Sequence, residues 1–136
     1  MDKNHLIDKI AFIHIKDKKV LVTLSKGKDT WYQPGGKREK GEADNETLIR
    51  ELKEELSIDI ITSTIVYYGT FQAQAHGKPE GVFVQMTCYT AEFEGNLESA
   101  NEIDKYDYFP YSRKNETSAV DHLIFDDLKK KGLIDQ

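Results

Sequence analysis

The stretch that decides the fold covers residues 36–58 and reads GKREKGEADNETLIRELKEELSI. It follows directly on a Pro34-Gly35 pair, so Gly36 belongs to a turn that can take backbone conformations closed to other residues. A short loop bounded by Gly41 then carries Glu42. The remainder has the spacing of an amphipathic helix over about residues 45–57, with Asp44 or Asn45 as its N-cap.

Three acids of this predicted helix share one flank. At about 100° per residue, Glu51, Glu54 and Glu55 fall on a common arc, beside an apolar face. Carboxylates three and four residues apart repel one another on a bare helix. A hard cation such as Mg²⁺ removes that repulsion because it prefers oxygen ligands. An acid-rich helix is also typical of a solvent-exposed surface, and the helix pattern taken alone leaves both interpretations open.

The spacing outside the helix separates these interpretations. The segment resembles the Nudix box, in which a glycine, a glutamate and an Arg-Glu-apolar-x-Glu-Glu-x-Gly-apolar run stand at fixed separations. The corresponding residues of this chain are Gly36, Glu42, Arg50, Glu51, Leu52, Glu54, Glu55, Ser57 and Ile58. Ser57 departs from the pattern, because it stands where the family has the glycine that ends the helix. A left-handed conformation at that place would strain a serine modestly, without touching the acids.

The resemblance implies a Mg²⁺-dependent pyrophosphohydrolase, with Mn²⁺ as a substitute cation. It implies that Glu51, Glu54, Glu55 and the Gly36 carbonyl hold the metal, and that Glu42 supports the loop. The resemblance assigns catalytic roles to Glu51, Glu54 and Arg50. The general base is either a box glutamate or an acid of the later loop 95–104, where Glu102 is preferred to Glu98.

The resemblance also implies an α/β fold, a Nudix-type α/β/α sandwich with a mixed β-sheet, formed by one domain over residues 1–136. The apolar patterning agrees in element order. It predicts a strand hairpin from 7–15 and 20–24, a long strand region over 58–75 interrupted near Ser63, and strands at 81–92 and 104–109. A last helix is predicted over about 118–131, ended by Gly132.

Composition limits the classes of partner. The net charge of −5 argues against nonspecific binding to a nucleic acid polymer. No apolar run reaches the roughly 18–20 residues that cross a bilayer, and no apolar signal segment begins the sequence, so we expect a cytoplasmic protein without a membrane partner. Cys88 is predicted to be a buried core thiol. Family members are often dimers, which leaves a homodimer open.

The sequence says less about the substrate. The best match is a mutator-type enzyme that hydrolyses nucleoside triphosphates, including oxidised ones, although Val120 stands near the place where such enzymes can carry a base-reading Asn. A nucleotide sugar or ADP-ribose-like substrate, or a non-catalytic nucleotide-sensing domain, remain alternatives. Lys37 and Arg38 are predicted to face the phosphates, and Gln72 and Gln74 to line the pocket from a polar strand face.

Overall fold

The structure is a computed structural model that describes residues 5–136. Its strands are β1 His5–Ile13, β2 Ile15–Lys16, β3 Lys19–Ser25, β4 Trp31–Tyr32, β5 Gly35–Lys37, β6 Asp59–Ile60, β7 Val66–Gln74, β8 Val82–Thr90, β9 Phe93–Glu94 and β10 Ile103–Phe109. Helix α1 is Asp44–Leu56 and helix α2 is Ala119–Lys130, and 3-10 turns cover Thr62–Thr64 and Tyr111–Glu116. No helix within this range is both long and apolar enough to cross a bilayer.

The main sheet has the strand order β5-β1-β8-β7 and is mixed. β1 runs parallel to β8, with His5 beside Val82 and Ile13 beside Thr90, whereas the other pairs are antiparallel. A second sheet has the order β10-β3-β2, and β4 adds to β3. The β6–β9 pair stands apart from both sheets.

Alternate residues of β1 pack into two different cores. Ile10 and Phe12 belong to the cluster that contains Leu48 and Leu52 of α1. Ala11 belongs to the cluster formed with Val120, Ile124, Phe125 and Leu128 of α2. Because successive side chains of a strand point to opposite faces, the two helices cover opposite sides of β1. The expected α/β/α arrangement with a mixed sheet is therefore confirmed.

The predicted first hairpin is confirmed around its turn, where Ile15 pairs with Val20, but most of its first strand pairs elsewhere. β1 does not pair with β3; the chain leaves the main sheet after Ile13, and the short β2 pairs with β3 instead. Asp17 and Lys18 form the turn with φ of 53° and 59°. Two consecutive residues with positive φ give the twist that matches a tight antiparallel hairpin. The two residues of β2 supply the strand that pairs with β3 across this turn.

The helix boundaries differ slightly from those predicted. Neither Asp44 nor Asn45 is the N-cap of α1, because Ala43 takes that place and its N–H donates to Glu46 Oε1 at 2.8 Å. The predicted interruption near Ser63 is confirmed by the 3-10 turn Thr62–Thr64. Gly132 follows α2 with φ of 73°, and its N–H donates to the Lys129 carbonyl, as expected of a helix stop. Cys88 is buried, as predicted.

Ser57 ends α1 in the left-handed conformation that the sequence anticipated for this position. Its φ and ψ are 64° and 22°, and its N–H donates to the Lys53 carbonyl at 3.1 Å. The hydroxyl donates to the Glu98 carbonyl at 3.0 Å. Serine therefore carries the strain that glycine avoids and gains a hydrogen bond to the loop 95–102 that glycine cannot make.

Ser57→Ala is expected to lower the free energy of unfolding by about 0.5–1.5 kcal/mol, because the strain stays and the hydrogen bond is lost. Ser57→Gly loses the same hydrogen bond but relieves the backbone strain. Its free energy of unfolding should therefore be about 1 kcal/mol higher than that of the alanine variant. Urea unfolding of the three proteins measures both differences. An alanine variant as stable as the glycine variant would show that the backbone at residue 57 is not strained.

Candidate active site

The predicted turn at 34–36 is a bend at Pro34 followed by the first residues of β5, and it lies directly against β1 and α1. Gly35 has φ of +141°, and a Cβ built on it would lie 2.0 Å from the Ile10 carbonyl oxygen. A Cβ on Gly36 would lie 2.4 Å from Glu51 Oε2. The Gly35 N–H donates to Glu55 Oε1 at 3.1 Å. The missing side chain of Gly35 thus lets the backbone approach β1, and that of Gly36 leaves room for the Glu51 carboxylate.

Arg50 connects the loop before α1 with the acids on it. Its guanidinium binds the Glu42 carboxylate with two hydrogen bonds of 2.7 and 2.9 Å, and donates a third to the Lys37 carbonyl at 3.0 Å. The same group lies 3.0 Å from Glu51 and 3.4 Å from Glu54. A planar fork is suited to holding several oxygens in fixed positions. Arg50 and Glu42 therefore have the geometry of the supporting pair that the resemblance implies.

Four acids and one amide line a common depression beside α1: Glu51, Glu54, Glu55, Asn101 and Glu102. Burial raises the pKa of Glu55 to about 8; the negative charges of Glu51 and Glu102 add to this, whereas the Gly35 N–H and Lys9 oppose it. Burial likewise raises the pKa of Glu51, against the opposing effect of Arg50. Without a cation, burial therefore disfavours the ionised form of these acids, and a bound cation would favour it.

Besides the bond from the Ser57 hydroxyl, three hydrogen bonds attach the loop 95–102 to the last turn of α1. They run from Glu98 N to Leu56 O at 2.9 Å, from Ala100 N to Glu55 O at 3.0 Å and from Asn101 Nδ2 to Glu54 O at 2.7 Å. These donors satisfy carbonyls that a helix end leaves without partners. As a result Glu102 lies among the acids of the depression, whereas Glu98 is not among its lining residues.

The donor set fits a hard divalent cation in its chemistry. Carboxylates and a backbone carbonyl are the ligands that Mg²⁺ and Mn²⁺ take. Gly36 has no side chain, and this leaves space for the Glu51 carboxylate beside its backbone. As the side chains stand, however, no three acid, histidine or cysteine residues within residues 5–136 are gathered closely enough to hold a metal ion. Arg50 holds Glu51 and Glu54, and the Gly35 N–H holds Glu55. Metal binding would compete with these contacts.

A cavity of about 660 Å³ opens beside the turn, and Gly36, Lys37, Glu51, Glu55 and Glu102 form its acidic and polar side. A smaller cavity of about 180 Å³ adjoins it and shares Lys9, Tyr32, His76, Lys78 and Met86. Its other lining residues are mostly apolar, namely Ile7, Ala75, Val84, Ser118 and Val120. The site therefore combines a charged compartment with a smaller one whose lining is partly apolar and partly polar.

The structure brings Lys37 to this cavity but not the other three predicted substrate residues. Arg38 instead forms ion pairs with Asp8 at 2.5 Å and Asp44 at 2.6 Å, which tie β1 to the start of α1. Gln72 lies beside a separate surface depression near the exposed Phe83.

Gln74 is also occupied elsewhere. Its amide donates to the Pro79 carbonyl at 2.8 Å and accepts from the Gly81 N–H at 3.2 Å, closing the turn between β7 and β8. These placements correct the prediction, because local partners satisfy Arg38 and Gln74, and Gln72 faces away from the cavity.

Sequence reasoning missed Lys9 and the buried Asp121. Asp121 is fully buried; it accepts hydrogen bonds from the Gln33 N–H at 3.0 Å and from the Ser118 hydroxyl. Burial raises its pKa to about 6. Lys9 could have been noticed, because it interrupts the apolar residues of β1 on the face that carries Ile7 and Ala11.

The Arg50 contacts predict a pH dependence of stability. Arg50, followed by the Glu39 N–H, lowers the pKa of Glu42 to about 2 from an ordinary value of 4.5. A carboxylate with a lowered pKa stabilises the folded state above pH 4.5, and that stabilisation is lost as the pH falls from 4.5 towards 2. The difference in unfolding free energy between the wild type and Glu42→Gln should therefore be greatest at pH 7 and shrink below pH 4.5. Urea unfolding in metal-free buffer measures it. A difference that stays constant down to pH 3 would contradict the prediction.

Comparison with known proteins agrees with this geometry. The NUDIX domain model matches residues 7–125. The m7GpppN-mRNA hydrolase of Saccharomyces cerevisiae is 30% identical over 99 residues, which are 73% of this chain and 10% of that protein. The chain thus spans about a tenth of the length of the yeast relatives it matches.

Solved structures share the fold. A MutT protein from Methanosarcina mazei Go1 superposes with a TM-score of 0.76 at 16% identity, covering 97% of this chain and 99% of that one. A MutT protein from Bacillus halodurans gives 0.67 at 26% identity, covering 88% and 79%. Because the family model matches residues 7–125, most of its length, this chain belongs to the Nudix domain family.

Proposed function

We propose that the protein hydrolyses a pyrophosphate bond of a nucleoside triphosphate, ordinary or oxidised, with Mg²⁺ as its cofactor. The observation that carries the proposal is the position of Glu51, Glu54, Glu55 and Glu102. They lie around one depression, beside a cavity that adjoins a smaller, partly apolar compartment. A polyphosphate attached to an aromatic base has both of the chemical characters that these two compartments accommodate.

Glu51, Glu54, Glu55 and the Gly36 carbonyl would hold the cation, with Mn²⁺ as a substitute. When bound, the metal ion neutralises phosphate charge and makes the attacked phosphorus more electrophilic. Lys37 lies on the rim of the same cavity and supplies a positive charge for phosphate oxygens. Arg50 keeps the loop and helix in register through Glu42, so that the acids stay in place before substrate arrives.

Glu102 is the preferred general base for the attacking water. It lies across the depression from the acids of α1, and its backbone carbonyl accepts from the Lys26 N–H at 2.8 Å, which fixes the loop end. A base must reach the water that it deprotonates. Glu102 meets that requirement better than Glu98, and Glu54 remains the alternative within the box.

A hydrolysis screen with Mg²⁺ tests the proposal directly. We expect turnover of at least one nucleoside triphosphate, with loss of activity in EDTA and recovery on adding Mg²⁺ or Mn²⁺. Nucleotide sugars, ADP-ribose, dinucleoside polyphosphates and a capped dinucleotide should be included. Turnover confined to these compounds would assign a different substrate. Binding of nucleotide and metal without any turnover would favour a sensing domain and overturn the proposal.

Substitution should distinguish the acids that line the depression from an acid of the same loop that does not. Glu54→Gln and Glu102→Gln are each expected to lower kcat by about 10²–10⁴-fold, as the loss of a metal ligand or a base does. Glu98→Gln is the matched control, because Glu98 belongs to the same loop but does not line the depression. Steady-state kinetics with the substrate found in the screen measures the three variants. Equal losses at Glu98 and Glu102 would show that the loop, rather than the Glu102 carboxylate, matters.

A further inference from the structure

Lys9 is a cation with no assigned role that lines both compartments of the site. It is partly buried on β1, and its neighbours on the same strand face are Ile7 and Ala11. Met86 pairs with it on β8 and is buried. A lysine among such residues is desolvated, and burial lowers the pKa of its ammonium group.

Nothing in the described fold compensates for this burial with a direct ion pair. Among residues 5–136, no carboxylate lies within ion-pair distance of the Lys9 ammonium. The negative charges of Asp121, Glu55 and Glu51 act on it only from farther away, and Lys37 opposes them. The ammonium lies 5.6 Å from the centre of the Tyr32 ring. A buried cation without a partner for its N–H donors destabilises the fold. Such unfavourable groups are common in binding and catalytic sites.

The position of Lys9 indicates which part of a ligand it meets. Its side chain lies on the α2 face of the sheet, together with Ala11, whereas the acids of the depression project from α1. The smaller compartment it borders is also lined by the rings of Tyr32 and His76, which pack edge to face with their centres 6.3 Å apart. An ammonium group donates hydrogen bonds and accepts none. It therefore suits an acceptor oxygen on the rim of a planar ring.

We infer that Lys9 is a specificity-determining residue that donates a hydrogen bond to a ring carbonyl oxygen of the nucleobase. The inference rests on the proposed function. Guanine, cytosine and uracil carry such a carbonyl, and adenine does not. The substrate class is therefore a nucleotide with an oxo-bearing base, and the enzyme discriminates against ATP.

The test compares GTP, CTP, UTP and ATP as substrates of the wild type and of Lys9→Met, which keeps the length of the side chain and removes its charge. We expect kcat/KM to fall by about 10- to 100-fold for the best oxo-bearing substrate, as the loss of a hydrogen bond from a charged donor does. The loss should appear mainly in KM. The value for ATP should change less than threefold. Lys19→Met, at an exposed position of β3, controls for the change of net charge.

Thermal unfolding of the same variants separates recognition from structure. Lys9→Met should be at least as stable as the wild type, because an apolar side chain suits its surroundings better than an unpaired ammonium. An equal loss of kcat/KM for all four nucleotides would place Lys9 on the phosphates and overturn the inference while the proposed function stands. An unchanged preference would overturn it as well. Turnover of none of the four by the wild type would overturn the proposed function and the inference with it.

Discussion

The close approach of the Gly35-Gly36 backbone to β1 and α1 is the constraint on which the site depends. The turn passes so near the Ile10 carbonyl and the Glu51 carboxylate that neither glycine has room for a side chain. The Pro34 carbonyl accepts a hydrogen bond from the Phe12 N–H at 2.8 Å, which fixes the turn on the strand. Because β5 begins at Gly35 and pairs with β1, the same backbone that joins the sheet also meets the acids of the helix.

The acids of α1 and of the loop before it differ in how far the protein itself compensates their charge. Glu42 is held by two hydrogen bonds from Arg50 and has a lowered pKa, whereas the pKa values of Glu51 and Glu55 are raised by burial. One arginine cannot neutralise all of these acids at once. The structural acid thus takes most of the compensation that the protein itself provides, and the acids in the depression retain a demand for positive charge that a bound cation would meet.

The sequence predicts the fold and the acids on one flank of α1, but not the residues that line the cavity. The box has rigid spacing, so the helix, its apolar face and the place of Glu42 and Arg50 could be read from the chain. Gln72 and Gln74 were assigned from strand alternation, which gives a polar face but not what that face meets. Arg38 was assigned from proximity along the chain, and its real partners, Asp8 and Asp44, come from two different elements. Asp121 lies 88 positions from the Gln33 N–H that it accepts from, a contact that local patterns cannot show.

The attachment of the loop 95–102 to α1 has a consequence for how such an enzyme can diversify. Of the three hydrogen bonds that the loop donates to carbonyls of the last turn of α1, two come from backbone amides and the third from the side chain of Asn101. Apart from Leu97, which packs against the core, and Asn101, the side chains of the segment take no part in this attachment. Substitution of the remaining side chains would alter the surface above the acids and leave the attachment in place. Insertion or loss of a single residue would move Glu102 out of reach.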